Sequence, residues 1–226
     1  MTDPILLLIE TSTESCSVAL SSGDKIIAER TISAPKQHAS LLAPFIKEVI
    51  EQAGISISNC TAIAVSEGPG SYTGLRVGIS TAKGLCFGAN KPLLAVGTLE
   101  ILAMQGIKKA KKIVPMIDAR RMEVYTAIFN SEGIQESKTE ALILDENSFK
   151  NELENNTVLF IGDGVNKFRS IINHPNAYFE SCCPNATYML TPALKSLQKK
   201  EFKDVAYFEP LYLKEFVIGI SKKSIL

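Results

Sequence analysis

The sequence predicts an α/β chain of two lobes, each wound as strand–strand–strand–helix–strand–helix. The first half alternates short apolar strands with helical stretches in that order. The same order restarts about 108 residues further on, the signature of a duplicated unit. A chain of 226 residues is long enough for two such lobes with a core each. The expected division is 1–106 and 107–226.

The first strand is "ILLLIETS", a continuous apolar run ending near Glu10. "CSVALSS" alternates apolar and polar positions and stops at Gly23-Asp24, a hairpin signal. "KIIAERTI" is the third strand. From His38 to Ala53, Leu41, Leu42, Phe45, Ile46, Val49 and Ile50 fall on one wide helical stripe, and Gly54 is a natural helix stop. "TAIAVSEGPG" is the fourth strand. A second helix is expected from Thr73 to Ala89, followed by the strand "KPLLAVGT" and the helical "LEILAMQG". Then "KKIVPMIDARRMEVYTAIFNSEGI" lies on "DPILLLIETSTESCSVALSSGDKI". Both have an apolar strand ending in a carboxylate (Glu10, Asp118), a polar turn, an alternating strand and a glycine turn. "TVLFIGDG" is a further strand and "NKFRSII" follows it. Ala177–Thr191 reads as irregular, "TPALKSLQKK" as helical, and "YFEPLYLKEF" as a tail. Done twice, this order is the architecture of the actin/Hsp70/sugar-kinase superfamily (ASKHA), whose lobes face each other across a cleft. By analogy alone, that raises an ATPase hypothesis.

Composition narrows the field. Lys plus Arg and Asp plus Glu are both 24, so the chain lacks the basic excess of an autonomous nucleic-acid binder. The "KKAKK" run at Lys108–Lys112 reads as a solvated loop between lobes that can help RNA contact only within a complex. No stretch reads as a signal peptide or a membrane span, and the five unpatterned cysteines read as reduced thiols, so a cytoplasmic protein is expected.

The chemistry of the motifs argues against a nucleotide site. "IETSTESC" has hydroxyls for an anion but no glycine, and "IDARRMEV" fills its turn with Arg120, Arg121 and Met122. In "SEGPGSYTGLRVGIS", Gly68, Pro69 and Gly70 fit neither a Walker loop nor a dinucleotide fingerprint: Thr73 stands where each pattern needs glycine, and no lysine follows. His38 and His174 form no metal or triad pattern, His38 reading as a helix-start residue. "FIGDG" reads as a tight strand-to-helix turn.

Small residues point elsewhere. Gly70, Gly74, Gly78 and Ala82 are spaced by four, as are Ser80, Gly84 and Gly88, so each set lies on one helix face. Glycine inside a helix costs roughly 1 kcal/mol against alanine, a cost that close backbone approach offsets. With apolar residues almost all round, such a helix is buried either in its lobe or against a partner. One stripe must face the lobe's own sheet, and the two first-lobe helices are expected to form a docking face. Its expected contacts are Leu41, Leu42, Phe45, Ile46, Val49, Leu75, Gly78, Ile79, Ala82, Lys83 and Cys86. Arg76 is expected to meet a carboxylate, Glu10 or Glu67.

"ILLLIETSTESCSVAL", "GPGSYTGLRVGISTAKGL", "IDARRMEVYTAIF" and "PLYLKEF" together resemble the TsaB (YeaZ) family of tRNA threonylcarbamoyladenosine biosynthesis, from Ile5 to Phe216. The residues carrying the resemblance include Gly68, Pro69, Gly70, Ser71, Thr73, Gly74, Arg76, Asp118, Arg120 and Glu123. It implies a non-catalytic scaffold that pairs with the transferase TsaD through its first-lobe helices and forms homodimers when alone. The small ATPase TsaE joins, tRNA is reached through the complex, and ATP and metal belong to TsaD and TsaE rather than to this chain. The metal-binding histidine pair of TsaD is missing from "QHASLLAPF". Glu10 stands where aspartate is commoner, and Arg121-Met122 where small residues are often seen.

Overall fold

The structure, a computed structural model, describes residues 3–33 and 36–214. Phe216, the far end of the last resembling stretch, lies outside them. In the first half, β1 (Ile5–Glu10), β2 (Ser15–Ser22) and β3 (Lys25–Ser33) lead to α1 (His38–Gln52). Then come β4 (Ala62–Gly68), α2 (Tyr72–Ala89), β5 (Leu93–Gly97) and α3 (Thr98–Gln105). The second half holds β6 (Lys112–Asp118), β7 (Glu123–Thr126), β8 (Phe129–Asn130) and β9 (Glu140–Ile143). α4 (Lys150–Asn155), β10 (Val158–Ile161), α5 (Val165–Arg169), β11 (Ala177–Glu180) and α6 (Leu190–Lys199) complete it.

The duplication is visible in the sheets. The first runs β3-β2-β1-β4-β5 and the second β11-β10-β6-β7-β9, with β8 also on β6. In each, the first strand pairs antiparallel with the next and parallel with the strand after the first helix. The expected single strand "EVYTAIF" is broken into β7 and β8. Its middle, Ala127, faces Pro115 in the register, and proline has no N–H to give the ladder.

β1 is apolar throughout because both its faces are covered. Leu7 and Ile9 meet α1 and α2, with Val49, Ile79 and Cys86 in the same core. Leu6 and Leu8 meet Ile101 of α3 and Met189, Leu190 and Ala193 at the start of α6. Beyond, α3 presents Leu99, Leu102 and Ala103 to Ile113 and Ile117 of the second sheet, whose far face packs Leu153 and Phe168. The layers therefore run helices, sheet, helices, sheet, helices, with the cleft between the ends of the two sheets.

Two expectations are corrected here. Ala177–Thr191 is not irregular throughout: its first residues are β11, pairing parallel with β10 from Val158↔Ala177 to Ile161↔Glu180. Sequence periodicity missed so short an edge strand. And α6, although in the second half of the chain, packs on the first sheet, so a cut at 107 does not follow the packing. The amphipathic stripe of α6 covers the face of β1 that α1 and α2 leave open.

Candidate functional site

The turn after β1 and the start of α2 are built into each other. The Glu10 side chain is wholly buried and accepts the Ser12 N–H at 2.5 Å. Burial pushes its carboxyl up to about 6, against the pull of the Ser12 hydrogen bonds. Thr11 donates its hydroxyl to the Gly74 carbonyl at 2.8 Å, and Ser71 donates its N–H to the Ser12 carbonyl at 2.6 Å. Ser71 also caps α2, its hydroxyl accepting the Gly74 N–H at 3.3 Å. A Cβ on Gly70 would run into the Ser12 carbonyl, one on Gly74 into the Thr11 carbonyl, and one on Gly78 into the Thr11 hydroxyl. The glycine stripe therefore seats α2 against its own lobe.

This corrects much of the expected docking face. Leu42, Ile46 and Val49 of α1 and Leu75, Gly78, Ile79, Ala82 and Cys86 of α2 are buried in the first lobe. They hold these helices on the sheet. Leu41 and Phe45 are half-buried at the edge of that core. Lys83 is engaged within the chain, its ammonium donating to the carbonyls of Ala206 at 3.0 Å and Phe208 at 3.1 Å.

The outer face of α2 consists of Thr73, Arg76, Ser80, Gly84, Phe87 and Gly88, all exposed. Phe87 is 86% exposed, a large apolar side chain left in water. A Cβ on Gly84 or Gly88 would meet no atom within 4 Å. Of the two small-residue stripes, one has an internal reason and the other has none among the described residues.

Among the described residues, Arg76 meets no carboxylate. Its guanidinium lies 4.0 Å from the centre of the Tyr72 ring, and its Nε donates to the Tyr212 hydroxyl at 3.1 Å. Tyr72 and Tyr212 stack with ring centres 4.7 Å apart. The candidate Glu67 instead pairs with Lys203 at 3.3 Å. Gly68 takes a φ of +110°, and a Cβ there would press on the Leu211 carbonyl, while the Leu211 N–H donates to the Glu67 carbonyl at 2.7 Å. Pro69 is buried behind this contact. The tail that sequence left without a role is thus a strap laid along the GPG loop and α2. Its apolar and aromatic residues follow neither a helical nor a strand period that would announce it.

The second turn is a tight hairpin between β6 and β7, with Arg120 and Arg121 at φ of 71° and 49°. Asp118 accepts the Arg120 N–H and the Lys167 ammonium, each at 2.6 Å. Asp163, in the turn between Gly162 and Gly164, accepts the Asp118 N–H at 2.9 Å. Burial pushes Asp163 up to about 6, the Asp118 N–H pulls it back, and the charges of Asp118 and Glu14 add to the rise. Glu123 takes the Lys214 ammonium on its carboxylate and the Lys167 ammonium on its carbonyl, the latter at 2.8 Å. Among the described residues, no group of three His, Cys, Asp or Glu is placed to hold a metal, and no helix is long and apolar enough to cross a membrane. In the lysine run, Lys109 pairs with Glu180 at 2.8 Å and Lys112 with Glu136, so part of its charge is spent internally.

Two duplicated sheets, stacked with helices between and outside them, define the actin-like class of two-lobed α/β proteins. Comparison with known proteins places the chain more closely. Residues 25–220 match the model of the family described as TsaD, tRNA N6-adenosine threonylcarbamoyltransferase. The tRNA threonylcarbamoyladenosine biosynthesis protein TsaB of Haemophilus influenzae is 31% identical over 94% of both chains. Its Escherichia coli counterpart is 31% identical over 94% of this chain and 95% of that one. A Pseudomonas aeruginosa crystal structure, described as similar to the peptidase YeaZ, superposes with a TM-score of 0.85. It is 29% identical, over 93% of this chain and all of that one. The chain belongs to the TsaB family of threonylcarbamoyladenosine biosynthesis proteins.

Proposed function

We propose that this chain is a non-catalytic scaffold subunit that binds and activates a TsaD-type transferase. The observation that carries the reading is the outer face of α2, where Gly84 and Gly88 stand open beside an exposed Phe87. Each glycine costs the helix roughly 1 kcal/mol, and none of the described residues uses the room it leaves. A partner helix crossing there gains close backbone approach from the glycines and an apolar anchor from Phe87. The same face serves a homodimer when the partner is absent. TsaE joins the pair, tRNA is reached through the complex, and the assembly works in the cytoplasm.

The nucleotide and metal of the reaction belong, on this reading, to the partners. Its support is in both turns. In the first, the Ser12 N–H is committed to Glu10, and the carbonyls of Thr11 and Ser12 face the α2 backbone. In the second, Asp118 is already paired with Lys167 and the turn is filled by arginines.

The test is co-expression with the TsaD protein of the same organism, followed by size-exclusion chromatography. The wild-type chain co-elutes with it, and Phe87→Glu does not, while eluting alone as a folded protein. Co-elution of a folded Phe87→Glu variant contradicts the assignment of the face. Micromolar binding of Mg-ATP by the isolated chain, read by calorimetry, favours an autonomous nucleotide-binding enzyme instead.

A further inference from the structure

The strap touches both lobes at their motif residues. After α6 it passes the free edge of β5, where the Lys203 N–H donates to the Leu93 carbonyl at 2.9 Å. Val205 and Phe208 pack against the α1/α2 core, and Lys83 holds the carbonyls of Ala206 and Phe208. Leu211 then bonds to Glu67 over the bare Gly68, and Tyr212 stacks on Tyr72 beneath Arg76. So far every anchor is in the first lobe. Two residues on, the Lys214 ammonium reaches the Glu123 carboxylate of the second lobe and lies 5.9 Å from the Tyr125 ring. Glu123 is itself fixed from within that lobe, since Lys167 holds both its carbonyl and Asp118.

We propose that residues 211–214 form a clasp across the mouth of the cleft, joining the GPG loop of the first lobe to the β6–β7 hairpin of the second, so that opening of the lobes requires its release. The floor of the cleft is already closed by apolar packing of α3 between the lobes and by α6 on the first sheet. Above that packing, Glu14 and Asp118 lie close enough to Asp163 for their charges to act on it, and Lys167 pairs with Asp118 at 2.6 Å. Lys214 brings a further positive charge to the second-lobe rim, onto Glu123. The clasp rests on one half-exposed ion pair, the two side chains being 39% and 21% exposed, so it biases the lobe angle rather than locking it. Pairs of this kind shift a population by up to about fivefold. Within the clasp, Gly68 and Arg76 act as its first-lobe seat and Glu123 as its second-lobe seat. None of them needs a ligand in the cleft for that role.

Distance measurement within one chain tests the clasp. Ketone-bearing residues replace Lys47 on α1 and Glu154 on α4, are spin-labelled, and are diluted in unlabelled protein so that only intrachain distances are read by pulsed electron resonance. The otherwise unaltered chain gives one narrow distribution. Lys214→Glu, which sets like charge against Glu123, adds a longer distance, and Tyr212→Ser does the same by freeing the first-lobe end. Lys214→Glu changes one half-exposed side chain, so it folds and decides the matter alone if Tyr212→Ser does not. A narrow distribution unchanged by Lys214→Glu overturns the clasp.

Discussion

Thr11 and Gly74 hold each other at backbone distance: the Thr11 hydroxyl donates to the Gly74 carbonyl at 2.8 Å, and the Thr11 carbonyl fills the place of a Gly74 Cβ. Helix α2 is thereby seated on the β1–β2 turn through glycine rather than through side chains. The glycine-rich stretch that looks like a ligand loop is at this point an internal joint.

Gly74→Ala is therefore expected to destabilise the chain. A backbone carbonyl blocks the new methyl group and cannot rotate away, so α2 must lift off the turn. The cost is about 1–3 kcal/mol, as for other overpacked sites. Denaturant unfolding monitored by circular dichroism checks it. A midpoint equal to that of the wild type contradicts the joint.

Stability should fall as pH rises from about 4.5 to above 6 on account of Glu10. Its carboxyl is raised from 4.5 to about 6 by burial, so the folded state binds the proton more tightly than the unfolded chain. The resulting stabilisation is complete below the unfolded value and is lost as pH passes the folded one. A shift of this size corresponds to about 2 kcal/mol. Asp163, raised to about 6, acts in the same direction. Glu10→Gln should flatten the profile, keeping an oxygen for the Ser12 N–H without the buried charge. Melting temperatures at pH 5 and pH 7.5 measure the difference; equal pH dependence in both proteins contradicts it.

Lys83→Met is expected to loosen the strap without touching the core. Two carbonyls, of Ala206 and Phe208, lose their donor. The cost is about 1 kcal/mol, the usual net worth of such bonds. Hydrogen exchange should quicken at Phe208, whose N–H bonds to the Asp204 carbonyl at 2.9 Å, while β1 amides stay protected. Unchanged exchange at Phe208 contradicts the role of Lys83.

The fold was legible where periodicity is strong. The buried run of β1, the stripe of α1 and the restart at the second lobe are large signals, and each follows from faces that must be covered. The site was half legible. Two small-residue stripes stand out in the sequence, but a stripe does not say which side of the helix meets the sheet. That is why Leu42, Leu75, Ile79 and Cys86 were expected outside and lie inside. Phe87 was the discriminating residue, because a large apolar side chain between Gly84 and Gly88 marks the face that the lobe leaves uncovered. The strap was not legible at all. Its contacts are backbone carbonyls, a ring stack, a hydrogen bond to Arg76 and two ion pairs, Lys203 with Glu67 and Lys214 with Glu123, all between residues more than 80 positions apart.

The division of labour between the two glycine stripes is the central claim, and Gly84→Leu tests it most directly. The site is open and helical, so the substitution should leave the chain folded, with a melting temperature at or above that of the wild type. It should also abolish co-elution with the TsaD-type partner, because the added side chain fills the room a crossing helix needs. Retained co-elution of a stable Gly84→Leu chain contradicts the account, and so does a Gly84→Leu chain that fails to fold.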